Sequence, residues 1–335
     1  MNEKCGLLLV NLGSPDAPKA KEVRKYLSEF LHDPRVIDTS RWIWCPILHG
    51  IILRVRPARS ARNYAAIWNL PEGFDGAEAP LVRITRAQAA AVQENLGSDV
   101  MVDIAMRHGN PSIDLGFDRL MAAGCTKIAI LPLYPQFAGA TTASVYDGVA
   151  KALKNRMNVP TVRMLRDYYR DPAYIAAIAR SIHTKIGAQG WRPGVVLASF
   201  HGLPQSYADK GDPYPGECEE TTELLRTALN NSGHGNIDLR LTYQSRFGPK
   251  AWLQPYTEST LKALAKDGVK NVTVVTPGFA ADCLETTMEI DMEARETFIQ
   301  AGGENFSMVP CLNTDADHIE LLANIAKNEL LVGWL

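Results

Sequence analysis

"GCTKIAILPLYPQFAGATT" (residues 124–142) and "GVKNVTVVTPGFAADCLETT" (residues 268–287) are two stretches of this sequence that follow one plan. Each begins with a glycine, continues through an apolar run typical of a strand, reaches the pattern Pro-x-Phe-Ala and closes on a Thr-Thr pair. The segments "VNLGSP" (10–15) and "SFHGLP" (199–204) also match each other, because in both a strand runs into a glycine-containing turn with a proline. Such self-similarity predicts two similar domains.

Short apolar runs alternate with amphipathic segments of helical length along the whole chain. The first half contains the runs "GLLLVNL", "MVDIAM" and "KIAILPLY", and the second half contains "GVVLASF", "IDLRLTY" and "NVTVVTP". This alternation predicts parallel sheets with helices on both faces. We therefore expect an α/β fold of two Rossmann-like domains, with a cleft between them at the carboxyl ends of the strands.

The composition narrows the class of protein. Of the 335 residues, 46% are hydrophobic, and the formal net charge is only −2, which argues against nucleic acid as a partner. The six cysteines lie far apart and include no Cys-x-x-Cys motif, so their spacing indicates neither a zinc site nor a disulfide framework. The first residues, "MNEKCGLLLVNLGSP", enter a strand at once without a signal-peptide pattern, and we expect a cytoplasmic protein.

One apolar segment carries a basic flank: "RWIWCPILHGIILRVRPAR" (41–59). Its apolar run is too short for a bilayer span and is interrupted by a proline, a histidine and a glycine. Two interpretations are open. The segment is either a helix on a membrane surface, anchored by Trp42, Trp44 and the arginines of its second half, or a buried helix with a charged exit.

The loops that follow corresponding strands in the two halves differ in chemistry. In the first half they carry small, apolar and hydroxyl residues: Leu12, Gly13, Thr141 and Thr142. In the second half they carry ionisable residues: His201, Asp282 and Glu285. A histidine at a strand end is often structural, and carboxylates near a helix start favour the helix dipole. Structural and chemical roles both remain open for these residues.

Glu285, Glu289 and Glu293 are spaced by four residues and therefore share one face of a helix. Like charges at this spacing cost about 0.2–0.5 kcal/mol per pair. The series indicates a path for cations or protons, with a solvated helix face as the alternative. Histidine with carboxylates suits a divalent metal such as Fe²⁺, but no third or fourth ligand is evident, so we expect a metal that passes through.

Five motifs together resemble the ferrochelatase family, whose members insert Fe²⁺ into a porphyrin in the last step of haem synthesis. The motifs are "VNLGSP" (10–15), "SFHGLP" (199–204), "GDPYPGEC" (211–218), "TYQSRFGPKAWLQP" (242–255) and "ADCLETTMEID" (281–291). The resemblance implies a first Rossmann-like domain of residues 1–170 and 310–335, with a porphyrin lip at 41–62 and a returning C-terminal helix. It implies a second domain of residues 171–309 that carries His201 and Glu285.

The resemblance also assigns roles to individual residues. It implies that His201 and Glu285 form the site of metal insertion and bind the metal, that Asp282 lies beside them, and that Glu289 and Glu293 belong to an acidic helix. The residues that it places around the porphyrin are Leu12, Tyr64, Arg107, Tyr134, Thr141 and Trp252. The implied substrates are protoporphyrin IX and Fe²⁺, and the lip implies peripheral contact with the inner face of the cytoplasmic membrane.

The chain departs from the family pattern in two respects. Gly139 stands where animal members have a cysteine, and the final residues "NELLVGWL" hold no cysteine group, so we expect no iron–sulfur cluster and no permanently bound cofactor. Cys283 replaces a histidine of the animal forms. Three alternatives remain open: a chelatase for coproporphyrin, a chelatase for cobalt, and a non-catalytic metal- or haem-binding protein. The order in which His201 binds metal and accepts protons is also open.

Overall fold

A computed structural model describes residues 4–70, 76–231 and 236–335. Within these ranges the strands form two four-stranded sheets, and all strand pairs are parallel. The strand orders are β2-β1-β3-β4 and β6-β5-β7-β8. The strands are β1 (Lys4–Asn11), β2 (Val100–Met106), β3 (Cys125–Pro132), β4 (Thr161–Met164), β5 (Val195–His201), β6 (Leu239–Gln244), β7 (Asn271–Val275) and β8 (Asn305–Met308).

Helices separate most of the strands, and four segments of the described chain are π-helical. The α-helices are α1 (Ala20–Leu31), α2 (Arg41–Ile47), α3 (Leu53–Ile67), α4 (Pro80–Leu96), α5 (Ile113–Ala122), α6 (Ser144–Lys154), α7 (Pro172–Ala188), α8 (Gln205–Asp209), α9 (Tyr214–Asn231), α10 (Thr257–Lys266), α11 (Arg295–Gln300) and α12 (Ala316–Ile325). The π-helical segments are Leu48–Ile52, Gly139–Ala143, Leu284–Ala294 and Ala326–Leu330.

The two sheets repeat one arrangement. β1 and β5 occupy the same inner position in their sheets, and each runs buried until it reaches its glycine-containing turn. Strands of this kind belong to parallel sheets covered by helices. Both Thr-Thr pairs also fall in π-helical segments, at Gly139–Ala143 and at Leu284–Ala294. The duplication read from the sequence is therefore repeated in strand order and in local helix geometry, and the predicted α/β fold class is confirmed.

The described residues group into two compact units. The first contains the residues up to 133, 138–167 and 319–335, and the second contains 134–137 and 168–318. These limits differ from the predicted ones at 170 and 310. Tyr168 belongs to the second unit because its ring packs edge-on against Tyr174 and its N–H donates to the carbonyl of Pro135. Asn313 belongs there because its side chain binds the carboxylate of Asp282.

The segment around residues 41–67 is one helical run composed of α2, a π-helical segment and α3. Its two neighbouring tryptophans point in different directions. Trp42 is 91% exposed, whereas Trp44 is 8% exposed and donates from Nε1 to the carbonyl of Leu31 at 2.8 Å. Of the two interpretations left open for this segment, the membrane-surface helix required both tryptophans to face outward, and Trp44 does not, because residues two apart in a helix lie on nearly opposite sides.

The outward face of this run carries apolar side chains that water reaches: Trp42, Ile43, Ile47, Ile51 and Val55. Four of them recur at intervals of four residues, so they form a stripe along the helix. We call these five residues the exposed stripe. Nowhere in residues 4–70, 76–231 and 236–335 does a helix combine the length and the apolarity needed to cross a membrane.

Candidate active site

His201 is the last residue of β5, where a fully buried strand reaches the edge of the sheet. Its imidazole is half-buried, and its Nδ1 lies 2.7 Å from the carbonyl oxygen of Gly202. Because a carbonyl oxygen only accepts hydrogen bonds, Nδ1 carries the hydrogen and Nε2 of the neutral ring carries a lone pair. The backbone of the turn therefore fixes a tautomer whose Nε2 can accept a proton or bind a metal.

Gly202 allows an aromatic ring to pack beside His201. A Cβ at this position would lie 2.8 Å from the carbonyl oxygen of Gln244 and 3.1 Å from the ring of Trp252. The Trp252 ring is itself held, because its Nε1 donates to the carbonyl of Phe247 at 2.9 Å. Only a residue without a side chain fits between β6 and the tryptophan. The glycine after His201 is therefore required by packing as well as by the turn.

Gln244 joins three elements of the second unit. It ends β6 and pairs in register with His201. Its Nε2 donates to the carbonyl oxygen of Glu285 at 2.6 Å, and its Oε1 accepts from the hydroxyl of Ser199 at 2.9 Å. The strand that flanks His201 thus also fixes the first turn of the acidic helix. The sequence interpretation missed Gln244, because a glutamine at a strand end carries no signal of its own.

Ser245 is a second residue that the sequence did not reveal. Its φ of 65° lies in the left-handed region, which residues other than glycine rarely adopt. In this conformation its hydroxyl donates to a carboxylate oxygen of Glu289. Backbone conformations of this kind concentrate at functional sites, where the surrounding structure holds them.

The titration of Glu289 is strongly altered by this environment. Burial and the nearby charge of Glu285 raise the pKa of its carboxyl group to about 7, against the lowering effect of hydrogen bonds from Ser245 and Gln244. The charge of Glu293 also raises it. A carboxyl with a pKa of about 7 exchanges its proton close to neutral pH, as general acid–base groups do.

The three glutamates lie in the π-helical segment Leu284–Ala294 rather than in an α-helix. π-Helical turns occur frequently at functional sites. Glu285 and Glu289 are half-buried, and Glu293 is exposed to solvent. The charges of Glu285 and Glu293 both act on the pKa of Glu289, so the three carboxyl groups are close enough to interact. The series leads from two half-buried carboxyl groups to an exposed one.

Asp282 lies beside Glu285 in the chain, but its carboxylate is fully engaged. Oδ1 accepts from the hydroxyl of Thr286 at 3.1 Å and from the backbone N–H of Cys311 at 3.2 Å. Oδ2 accepts from Nδ2 of Asn313 at 2.7 Å. These bonds tie the start of the π-helical segment to the loop after β8, so the contacts of Asp282 are those of a positioning residue.

Arg107 lies in the first unit, and other side and main chains of that unit hold its guanidinium group. Nη2 lies 2.6 Å from Oδ2 of the buried Asp33, and Nε lies 2.6 Å from the carbonyl oxygen of Ser144. Burial and the charge of Arg107 lower the pKa of the neighbouring His108 to about 3, although Asp33 acts in the opposite direction. His108 is therefore neutral, and the charge of Arg107 is balanced by Asp33.

Leu12 and Gly13 follow β1 in the first unit, as His201 and Gly202 follow β5 in the second. The carbonyl of Leu12 accepts from the N–H of His108 at 2.9 Å. Gly13 has a φ of 108°, and a Cβ there would lie 1.8 Å from the carbonyl oxygen of His108. Leu12 therefore occupies the position in the first unit that His201 occupies in the second. In both units the next residue must be glycine for steric reasons.

The remaining predicted porphyrin contacts divide between the units. Thr141 is half-buried in the π-helical segment of the first unit, and Tyr64 is buried in α3 with its ring edge-on to Trp68. Tyr134 is buried and belongs to the second unit, as does Trp252. The second unit therefore contains His201, all four predicted acidic residues and two of the aromatic ones.

No group of three or more His, Cys, Asp or Glu side chains within residues 4–70, 76–231 and 236–335 is arranged to hold a metal ion.

Solved structures define the class to which this fold belongs. SirB from Bacillus subtilis with Fe³⁺ superposes with a TM-score of 0.53 at 13% identity, and the match covers 96% of this chain and 93% of that one. The sirohydrochlorin chelatase SirB from B. subtilis subspecies spizizenii, in complex with cobalt, gives a TM-score of 0.52 at 12% identity with the same coverage. At these identities the likeness concerns the fold alone, which is that of the chelatases.

Sequence similarity then identifies the family. The model of the ferrochelatase family matches residues 4–330. Ferrochelatases of Brucella canis and Brucella ovis are each 49% identical over 334 residues, which is 99% of this chain and 93% of theirs. The chain belongs to the ferrochelatase family, and the resemblance inferred from its motifs is confirmed.

Proposed function

We propose that this chain inserts Fe²⁺ into protoporphyrin IX to form protohaem, with His201, Glu285 and Glu289 at the reacting centre. One observation carries the proposal beyond family membership. His201, whose Nε2 carries a lone pair, pairs in register with Gln244, and Gln244 binds the backbone carbonyl of Glu285. Glu289, whose carboxyl group has a pKa of about 7, follows four residues after Glu285. An imidazole with a free ring nitrogen and a carboxyl that exchanges its proton near neutral pH are thus tied to neighbouring strand ends of one unit.

The chemistry of metal insertion requires both groups. Two pyrrole N–H protons leave the porphyrin as the hydrated dication loses its water. Nε2 of His201 has one lone pair, so it accepts a proton or binds the metal but does not do both at once. Glu285 binds the incoming cation, and Glu289 takes up a proton and releases it toward the exposed Glu293.

The aromatic and apolar residues are proposed to hold the macrocycle. Trp252, fixed by its bond to Phe247 and packed against Gly202, presents a rigid wall next to His201. Leu12 is the proposed wall residue of the first unit, with Tyr64, Tyr134 and Thr141 as further contacts. Binding energy at such walls can bend a macrocycle and expose its nitrogen lone pairs. Arg107, whose guanidinium group is paired with Asp33, is a further proposed porphyrin contact. Asp282 is proposed to position the π-helical segment through its bonds to Thr286, Cys311 and Asn313.

We propose that the exposed stripe contacts the inner face of the cytoplasmic membrane. Five apolar side chains on one helical run, with the basic residues Arg54 and Arg59 toward its second half, form the pattern of an interfacial helix. We also propose that the chain works without an iron–sulfur cluster or another resident cofactor, because Gly139 occupies the position of the internal cysteine. The absorption and paramagnetic resonance spectra of protein purified without oxygen test this second point.

The decisive experiment is an anaerobic turnover assay with the purified chain. We expect conversion of protoporphyrin IX and Fe²⁺ to protohaem, measured by loss of porphyrin fluorescence. Parallel reactions with coproporphyrin and with Co²⁺ measure substrate preference. Faster turnover of coproporphyrin or Co²⁺ would replace the proposed substrate or metal, and binding of haem without turnover with any pair would make the chain a binding protein.

A further inference from the structure

A pair of histidines lies in the first unit, on elements that contain none of the proposed metal-insertion residues. His32 follows the last residue of α1, and His49 lies in the π-helical segment Leu48–Ile52. Their Nε2 atoms are 3.1 Å apart, and their ring centroids are 5.0 Å apart. The two imidazoles therefore direct their Nε2 atoms toward each other although they come from separate helices.

The tautomer of His32 is fixed by the backbone. Its Nδ1 faces the carbonyl oxygen of Ser28, which only accepts hydrogen bonds, so Nδ1 carries the hydrogen and Nε2 carries the lone pair. An imidazole whose Nδ1–H donates to a backbone carbonyl while Nε2 faces outward has the arrangement that orients metal-binding histidines.

The positions of both rings are held by their neighbours in the chain. Leu31 precedes His32, and its carbonyl accepts from the Trp44 indole at 2.8 Å. Leu48 precedes His49 and is completely buried. Pro46, which has no N–H, lies just before the π-helical segment, and a proline is a known cause of departure from α-helical geometry. The pair is thus assembled by anchored helices, whereas the His49 ring itself is open to solvent.

The distance between the two nitrogens suits a shared metal ion. Metal–nitrogen bonds of about 2.0–2.1 Å at angles between octahedral and tetrahedral place two ligand atoms about 2.9–3.4 Å apart. Imidazole nitrogen prefers first-row dications such as Zn²⁺, Co²⁺ and Fe²⁺ over Mg²⁺ and Ca²⁺. The described residues add no third His, Cys, Asp or Glu here, and water, which reaches His49, completes the coordination.

We propose that His32 and His49 bind a first-row transition-metal dication through their Nε2 atoms, and that this ion fastens the π-helical turn Leu48–Ile52 to the end of α1. The site is separate in sequence and in structural unit from His201. An N–H···N hydrogen bond between the rings is the competing explanation, since it has the same length but needs no ion.

Equilibrium dialysis of the full chain against Co²⁺ separates the two explanations. We expect His32→Gln and His49→Gln each to bind one Co²⁺ fewer than the wild type, and the double variant to lose no more than either single one. His201→Gln should retain this ion, and His183→Gln in α7 is the matched control for loss of an imidazole elsewhere. Mg²⁺ should not compete, because it prefers oxygen ligands to imidazole nitrogen.

Amide hydrogen exchange provides the second measurement. Co²⁺ should slow exchange in residues 48–52 of the wild type and of His201→Gln, but not of His49→Gln. Circular dichroism without metal checks that each variant is folded. Equal Co²⁺ binding by the wild type and both single variants would overturn the proposal, as would loss of two ions from the double variant, which would mean that the histidines bind separately.

Discussion

Nε2 of Gln244 lies 2.6 Å from the carbonyl oxygen of Glu285, and this bond connects the strand that pairs with His201 to the helix that carries the glutamates. The same side chain accepts a hydrogen bond from Ser199 on β5. A glutamine that is 6% exposed therefore sets the relative positions of the imidazole strand and the acidic helix.

The first prediction concerns this glutamine. Gln244→Ala removes the bonds to Ser199, Glu285 and Glu289, and although Ser199 keeps its bond to Thr257, the carbonyl of Glu285 loses this donor. Loss of the partner of a buried polar group costs about 1–3 kcal/mol. We expect a lower free energy of unfolding in urea and a lower kcat, because the acidic helix is no longer tied to β6. Gln205→Ala is the control: Gln205 is exposed and binds Asp209, so its loss should change stability by no more than about 0.5 kcal/mol. Similar stability of the two variants would contradict the prediction.

The second prediction concerns His201. His201→Ala should abolish measurable metal insertion while the melting temperature and much of the porphyrin affinity remain, because the hydrogen bond of the imidazole within the described part of the chain is to its own turn and apolar burial dominates binding. Turnover, thermal melting and porphyrin fluorescence titration are the measurements. A folded variant with normal turnover would make His201 a structural residue.

The third prediction is a pH dependence. The pKa of Glu289 is about 7 in the folded protein, above its ordinary value of 4.5, so the folded state retains a proton that the unfolded chain has released. Its contribution to stability is full below about pH 4.5 and is lost as the pH rises through about 7. Glu289→Gln removes this dependence, so wild type should lose more stability than the variant between about pH 5 and 8.

The same variant tests the proton path. If Glu289 transfers protons in the limiting step, kcat of Glu289→Gln should fall by about 10²–10⁴-fold with little change in porphyrin affinity. Glu293→Gln, at the exposed end of the series, is the comparison and should affect kcat less because water can replace it. If Glu289→Gln is active with the wild-type pH profile, the three glutamates are a solvated helix face and not a proton path.

The fourth prediction concerns the packing beside His201. Gly202→Ala places a Cβ 2.8 Å from the carbonyl oxygen of Gln244 and 3.1 Å from Trp252, so the tryptophan or the turn must move. We expect a loss of about 1–3 kcal/mol in unfolding free energy and a higher KM for porphyrin. Gly216→Ala is the control, because Gly216 lies inside α9 with open space around it, and alanine there should stabilise the helix. An unchanged KM in Gly202→Ala would mean that Trp252 does not contact the porphyrin.

The fifth prediction separates two tryptophans of one helix. Trp42→Ser should reduce sedimentation with anionic vesicles and leave the melting temperature unchanged, because Trp42 is 91% exposed. Trp44→Ser should instead lower stability by about 3–5 kcal/mol, since it removes a buried ring bonded to Leu31. Equal vesicle binding by wild type and Trp42→Ser would exclude the exposed stripe as a membrane contact.

The sequence predicted the longer strands well and the two shortest ones poorly. The six apolar runs correspond to β1, β2, β3, β5, β6 and β7, which are five to eight residues long and mostly buried. β4 and β8 were not identified, because these four-residue edge strands, "TVRM" and "NFSM", have no comparable run. The histidine and the acidic series were found because a strand end and a four-residue interval are visible in a sequence.

Other parts of the site depend on contacts that the sequence does not encode locally. Arg107 is paired with Asp33, 74 residues earlier, and only the fold brings them together. The left-handed backbone of Ser245 has no signal in residue type, since glycine or asparagine is the usual occupant. The opposite orientations of Trp42 and Trp44 follow from the rotation of 100° per residue in an α-helix, so they could have been predicted from the sequence.

The shared strand order and the paired π-helical turns have a consequence for ancestry. A π-helical turn is a local feature that a sheet does not require, yet one occurs after the third strand of each half, with a Thr-Thr pair in both. A single ancestral half, copied and fused in tandem, accounts for both turns. One half now carries the imidazole and the carboxylates at these turns, while the other has Leu12 at the position of His201, so the two halves differ in chemistry on one shared strand order.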